Sequence, residues 1–159
     1  MKQRLLILSH SILFLCASMY LGTGWSMVLF SFPIAPHLTP NTYYNVFVPE
    51  VAAATTFFTR MTELMIILCI VMIIAEWKTG LRWLPIVVLL AVFAATGLTL
   101  KYIFPLNAAM TKGITDASEL QATLSHWIYL NKIRVALWTV QWAAMMIYFA
   151  SKCGAGRRA

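Results

Sequence analysis

Four apolar runs of about twenty residues each decide what this chain can become. They cover roughly Leu5 to Phe30, Thr56 to Ala75, Leu84 to Phe104 and Ile133 to Ala150. A hydrocarbon layer roughly 30 Å thick is crossed by about 20 residues of helix, and only helices or closed barrels satisfy every backbone polar group inside it. With 61% hydrophobic and 11% charged residues and a mean hydropathy of +0.79, a chain of 17.9 kDa lacks the polar surface a soluble domain needs. The expected fold is all-α: an integral membrane four-helix bundle forming one domain over residues 1–159. Its helices fall at about 5–30, 56–75, 84–104 and 131–150, with outer loops at 31–55 and 105–130 and a cytoplasmic loop at 76–83.

Orientation follows from the 12 Lys and Arg residues. Lys2, Arg4, Lys78, Arg82, Lys152, Arg157 and Arg158 share one side if the termini do, whereas residues 31–59 contain no Lys or Arg. The positive-inside bias therefore predicts cytoplasmic termini in a multi-pass protein of a bacterial inner membrane. Arg60, Lys101, Lys112, Lys132 and Arg134 run against that bias. Lys101 and Lys132 read as snorkelling side chains; the two arginines ask for another explanation. The stretch after "MKQR" is too long for a signal-peptide core and closes on no small-x-small site, so it reads as the first helix.

Cys16, Cys69 and Cys153 form no C-x-x-C pair, which argues against a thiol oxidoreductase. Ser18, Gly22 and Ser26 recur every four residues and read as a close-packing face of the first helix. Four prolines, Pro33, Pro36, Pro40 and Pro49, are expected to prevent a continuous helix over 31–55, while aromatics such as Tyr44 keep that loop at the membrane interface, as an aromatic belt or a lid.

Three groups of polar residues carry the functional reading. Arg60 and Glu63 lie three apart on one face of the second helix, deep enough that the carboxylate must pair, neutralise or face the bundle interior. Trp127, Asn131, Arg134, Trp138, Gln141 and Met145 step by three or four along the fourth helix, so amide, guanidinium and large rings share one face. In "FPLN", Pro105 removes the donor for the carbonyl of Lys101, so the third helix is expected to stop there and Asn107 to turn into the bundle. Asn107, Asn131, Arg134, Arg60 and Glu63 then converge on a polar pocket in the outer half.

"PLN" at 105–107, followed by W-x-x-x-N-x-x-R at Trp127, Asn131 and Arg134, resembles a small four-helix membrane family of largely unknown function that includes fungal anthrone oxygenases. The first helix running into "FSFPIAPHL" is similar to that family's start. The resemblance implies a four-helix bundle, oxidation of a polycyclic phenolic ketone by oxygen, and functional roles for Asn107, Asn131 and Arg134. In such chemistry Glu63 would act as base, Arg134 would hold the oxyanion, and Asn107 and Asn131 would orient the carbonyl. Trp127, Trp138, Tyr44 and Arg60 would bind the flat substrate.

No cofactor is expected, because His10, His37 and His126 stand apart and no E-x-x-H pair lies on an apolar helix. Asp116, Glu119 and His126 are the weak alternative for a metal, and His37 or His126 for haem. The expected partners are a hydrophobic small molecule or lipid and the membrane itself, with a homo-oligomer compatible and no nucleic-acid motif in sight. The competing reading is a non-catalytic lipid- or quinone-binding protein, or an accessory subunit of a larger membrane complex. A transporter fits less well, since no internal repeat is evident.

Overall fold

A computed structural model describes residues 2–155. Arg157 and Arg158, two of the expected cytoplasmic cations, lie outside the described residues. Four helices account for nearly all of the chain: α1 (Gln3–His37), α2 (Tyr43–Glu76), α3 (Trp83–Lys112) and α4 (Ala117–Gly154). Each is long and apolar enough to cross a membrane, as a multi-pass protein requires.

Contacts between helix ends set the topology. Near the termini, Tyr148 of α4 meets His10 of α1 and Glu76 of α2. At the opposite end, Gln121 of α4 donates to the Pro36 and Leu38 carbonyls, and Tyr43 of α2 donates to the carbonyl of Met110 in α3. The helices thus run up and down. α4 packs against both α1 and α3, and α2 packs against the same two helices.

Two apolar clusters hold the bundle. One, toward the termini, is built on Leu13, Ala17, Met65, Cys69, Met72, Val88 and Met145. The other, at the far end, is built on Tyr43, Ile103, Met110, Leu120 and Leu124. In lipid such packing rests on van der Waals contact more than on exclusion of water, so shape matters more than area.

The helices are longer than the apolar runs, and both expected outer loops are mostly helical. Residues 43–55 belong to α2, residues 105–112 to α3 and residues 117–130 to α4. Only residues 38–42, 77–82 and 113–116 connect helices. The prolines explain why a breaker-based reading stops too early. Pro33 and Pro105 each follow a phenylalanine at the end of a five-residue π-helical turn, Met27–Ser31 and Thr99–Ile103. In each, the phenylalanine N–H reaches back five residues, Phe32 to Met27 and Phe104 to Thr99. Widening the coil this way accommodates the ring and missing donor of proline without ending the helix.

Pro49 lies inside α2, where the Asn45 carbonyl it leaves without a helical partner belongs to an exposed residue. α3 ends instead at Gly113, whose φ of +91° is a conformation L side chains rarely adopt.

The packing face of α1 also differs from expectation. Gly22 has open space around it and Ser26 is exposed. Leu13, Ala17, Tyr20 and Gly24 face inward. At Gly24 α1 lies close against α4: a Cβ there would lie 2.8 Å from Cε3 of Trp138 and 3.0 Å from Cγ2 of Val135.

Candidate functional site

The two π turns open the middle of the bundle. A turn of π helix is wider than an α turn and shifts the following side chains around the axis. Met27 and Ser31 from one turn, and Thr99, Leu100 and Ile103 from the other, line a cavity of about 390 Å³. Its aromatic walls come from all four helices: Tyr20, Phe47, Phe58, Phe104, Trp127 and Trp138. Tyr20 packs on Phe58 and Trp138 with centroids 4.8 and 4.7 Å apart, and its hydroxyl donates to the Phe58 carbonyl or shares a hydrogen with Thr62.

Arg134 is the cation at this site. Its guanidinium carbon sits 4.7 Å from the Trp138 ring centroid, a cation–π geometry. Its hydrogen bond to Thr99 Oγ1 is long, 3.4 Å, and its enclosed Nε has no partner. Among the described residues no carboxylate pairs with it. One α4 residue further along the same face, Gln141, lines the cavity, is 1% exposed, and leaves Oε1 without a partner. Opposite, Trp127 Nε1 donates to Asn107 Oδ1 at 2.9 Å, so α3 and α4 are tied together at the cavity's far end.

Of the residues named from sequence, Asn107, Glu63, Trp127, Trp138 and Arg134 line this cavity. The others do not. Asn131 is fully buried just off the lining, and its Nδ2 is used on the Trp127 carbonyl one turn back. Arg60 points away, its side chain 80% exposed; Glu63 pairs with it at 3.1 Å and is itself 56% exposed, at the cavity's margin and not in its depth. The three-residue spacing was enough for the ion pair but left the direction of its face open. Tyr44 is exposed, and the adjacent Tyr43 is the buried one. Tyr43 donates to the Met110 carbonyl and accepts from the Ile114 N–H, which caps the end of α3.

A second polar cluster lies near the termini, and the sequence reading did not assemble it. Glu76 is 5% exposed although it sits at a helix end beside "WKTGLRW". Its carboxylate accepts from Tyr148 at 2.8 Å, from Thr79 at 2.7 Å and from Lys152. With the Tyr148 hydrogen directed at Glu76, its oxygen accepts from His10 Nδ1 at 3.1 Å, which places the imidazole hydrogen on Nδ1 and leaves Nε2 enclosed without a partner. The network clamps α1, α2 and α4. One signal was available: Arg134, Gln141 and Tyr148 recur every seven residues, so the polar stripe of α4 continues into this cluster.

Among the described residues, no three His, Cys, Asp or Glu side chains gather closely enough to hold a metal ion. Asp116 instead starts α4: its Oδ1 accepts from the Ser118 hydroxyl and from the Glu119 N–H at 2.7 Å. Compared with known proteins, the chain matches no family model, no curated protein and no solved structure.

Proposed function

We propose that the protein binds a flat, aromatic, oxygen-bearing amphiphile within the bundle. The observation that carries this reading is Arg134, a guanidinium without an anion, stacked on Trp138 at the wall of an aromatic cavity. A charge held in the span without a counter-ion is costly, roughly 2.5 to 3.5 kcal/mol on insertion scales, and is kept where a ligand supplies the missing partner. A ketone or phenolate oxygen accepts from the guanidinium while the rings lie against Tyr20, Phe58 and Trp138. Orientation with both termini cytoplasmic, in a bacterial inner membrane, belongs to the same proposal and rests on the charge bias.

The chemistry proposed for the site is oxygenation of an enolisable polycyclic ketone, as in the anthrone oxygenases the motifs resemble. Loss of a C–H proton to a base leaves an enolate whose oxygen Arg134 stabilises. The carbon adds dioxygen and takes up the proton as a hydroperoxide, which loses water to leave the quinone carbonyl. Each CH₂ thereby consumes one O₂ and yields C=O and H₂O. Glu50 and Glu63 are the carboxylates that line the cavity and supply the base.

Native mass spectrometry of the gently solubilised protein and its Arg134→Ala variant tests the binding. An aromatic mass retained by the first and absent from the second supports it; bulk lipid alone in both overturns it. Oxygen uptake with anthrone, in a one-to-one ratio and lost in the same variant, tests the chemistry.

A further inference from the structure

We infer that the ligand reaches the cavity sideways, through a gap between α2 and α3 at the end of the bundle away from the termini. This rests on the binding proposed above and narrows the ligand to compounds that partition into the membrane interface. A groove of about 460 Å³ runs between these two helices. It is continuous with the cavity: Phe47, Val51, Thr55, Phe104 and Asn107 line both. Its outer walls are small, with Ala52 on α2 facing Ala108 and Thr111 on α3.

The opening is visible in exposure as well. A closed cavity has buried walls, yet Thr59 and Glu63 of α2 and Leu100 of α3 line this one while remaining exposed, Leu100 by 59%. On α4 the lining residues Trp127, Trp138 and Gln141 are buried, as is Tyr20 on α1, where Ser31 alone of the lining is exposed. The cavity is therefore closed along α4, and most of its exposed walls belong to α2 and α3.

The groove also sits at a suitable depth. Residues 47–55 and 104–111 flank it, and they lie at or beyond the ends of the apolar runs 56–75 and 84–104, where the hydrocarbon gives way to head groups. Ring compounds bearing a polar oxygen concentrate at that level, and an entrance there spares them a passage through water. Asn107 stands at the junction of groove and cavity, fixed by Trp127. An incoming ring passes this amide before it reaches Arg134.

A plug tests the route. Ala108→Trp fills the groove from α3, and Ala52→Trp fills it from α2 should the first variant misfold. Leu90→Trp, on an exposed face of α3 outside both openings, controls for the added indole. Protein in vesicles is mixed with vesicles carrying 1,8-dihydroxyanthraquinone, and quenching of tryptophan fluorescence is followed by stopped flow. The expected result is that association and dissociation both slow by about tenfold or more in the plugged variants, with Kd within about twofold of the parent. Rates unchanged in both plugged variants overturn the route. A loss of affinity through dissociation alone also overturns it, because the groove is then part of the bound state. If the parent protein shows no quenching, the binding proposal fails and the route with it.

Discussion

Gly24 offers the sharpest test of the packing that shapes the cavity. Its Cα lies against Trp138, and an alanine Cβ would come within 2.8 Å of the indole and 3.0 Å of Val135. Neither neighbour can retreat freely, because Trp138 is also packed on Tyr20 and carries Arg134 over its ring. Two terms oppose each other. Alanine is favoured over glycine in a helix by about 1 kcal/mol, while overpacking a tight contact costs about 1 to 3 kcal/mol.

Gly22, in the same helix with nothing within 4 Å, isolates the first term. Gly22→Ala should be neutral or stabilising, and Gly24→Ala should be less stable than Gly22→Ala by about 1 to 3 kcal/mol. Equilibrium unfolding of both variants in mixed micelles measures that difference directly. Displacement of Trp138 should also weaken aromatic ligand binding by roughly 2- to 10-fold, the worth of one stacking contact. Equal stability of the two alanine variants, within about 0.5 kcal/mol, would refute the close approach of α1 and α4 and the cavity wall built on it.

Three further outcomes follow from the hydrogen-bond networks. Glu76→Ala should lower stability by about 2 to 3 kcal/mol, below the range for a fully buried pair because Lys152 is 43% exposed. Glu76→Gln, which keeps an acceptor for Tyr148, should cost less in the same unfolding experiment. Tyr43→Phe strands the buried Ile114 N–H, while the Met110 carbonyl keeps the Gly113 N–H, and should cost about 2 kcal/mol; the α3 terminus should then exchange its amide hydrogens faster. At Asp116, the Ser118 hydroxyl and the Glu119 N–H hold the carboxyl below the usual range. The unfolded chain therefore binds the proton first. The contribution to stability is present above about pH 3.9 and is lost as pH falls through the lower folded value. Thermal melts over that acid window should flatten in Asp116→Asn.

The four crossings were legible because length and hydropathy alone specify them. Helix ends were not, for a physical reason that Pro105 and Pro33 share. A proline removes one donor, but a π turn relocates the preceding bond and the helix goes on. Likewise the first residue of α2, Tyr43, reaches across to α3, a tertiary contact that local propensity does not encode.

At the site, periodicity on α4 was enough to group Trp127, Arg134 and Trp138 on one face, and all three line the cavity. Asn131 shares that spacing, yet its amide turns back on the carbonyl of Trp127, an alternative open to any helical asparagine. Arg60 and Glu63 illustrate the opposite difficulty. Their pairing is local and readable, but which way the face points depends on α1 and α3. Glu76 escaped notice because a carboxylate beside Trp, Lys and Thr looks like solvated loop until Tyr148 and His10 arrive from other helices.

On the binding proposed above, Arg134 is kept for a ligand and not for the bundle. The most direct measurement is the unfolding stability of the parent and of Arg134→Met, each with and without 1,8-dihydroxyanthraquinone. Removing a charge that has no counter-ion should leave the ligand-free protein at least as stable as the parent, and the stabilisation conferred by the ligand should vanish. A ligand-free variant weakened by about 3 kcal/mol or more, with ligand stabilisation intact, would make Arg134 a structural residue and contradict the account.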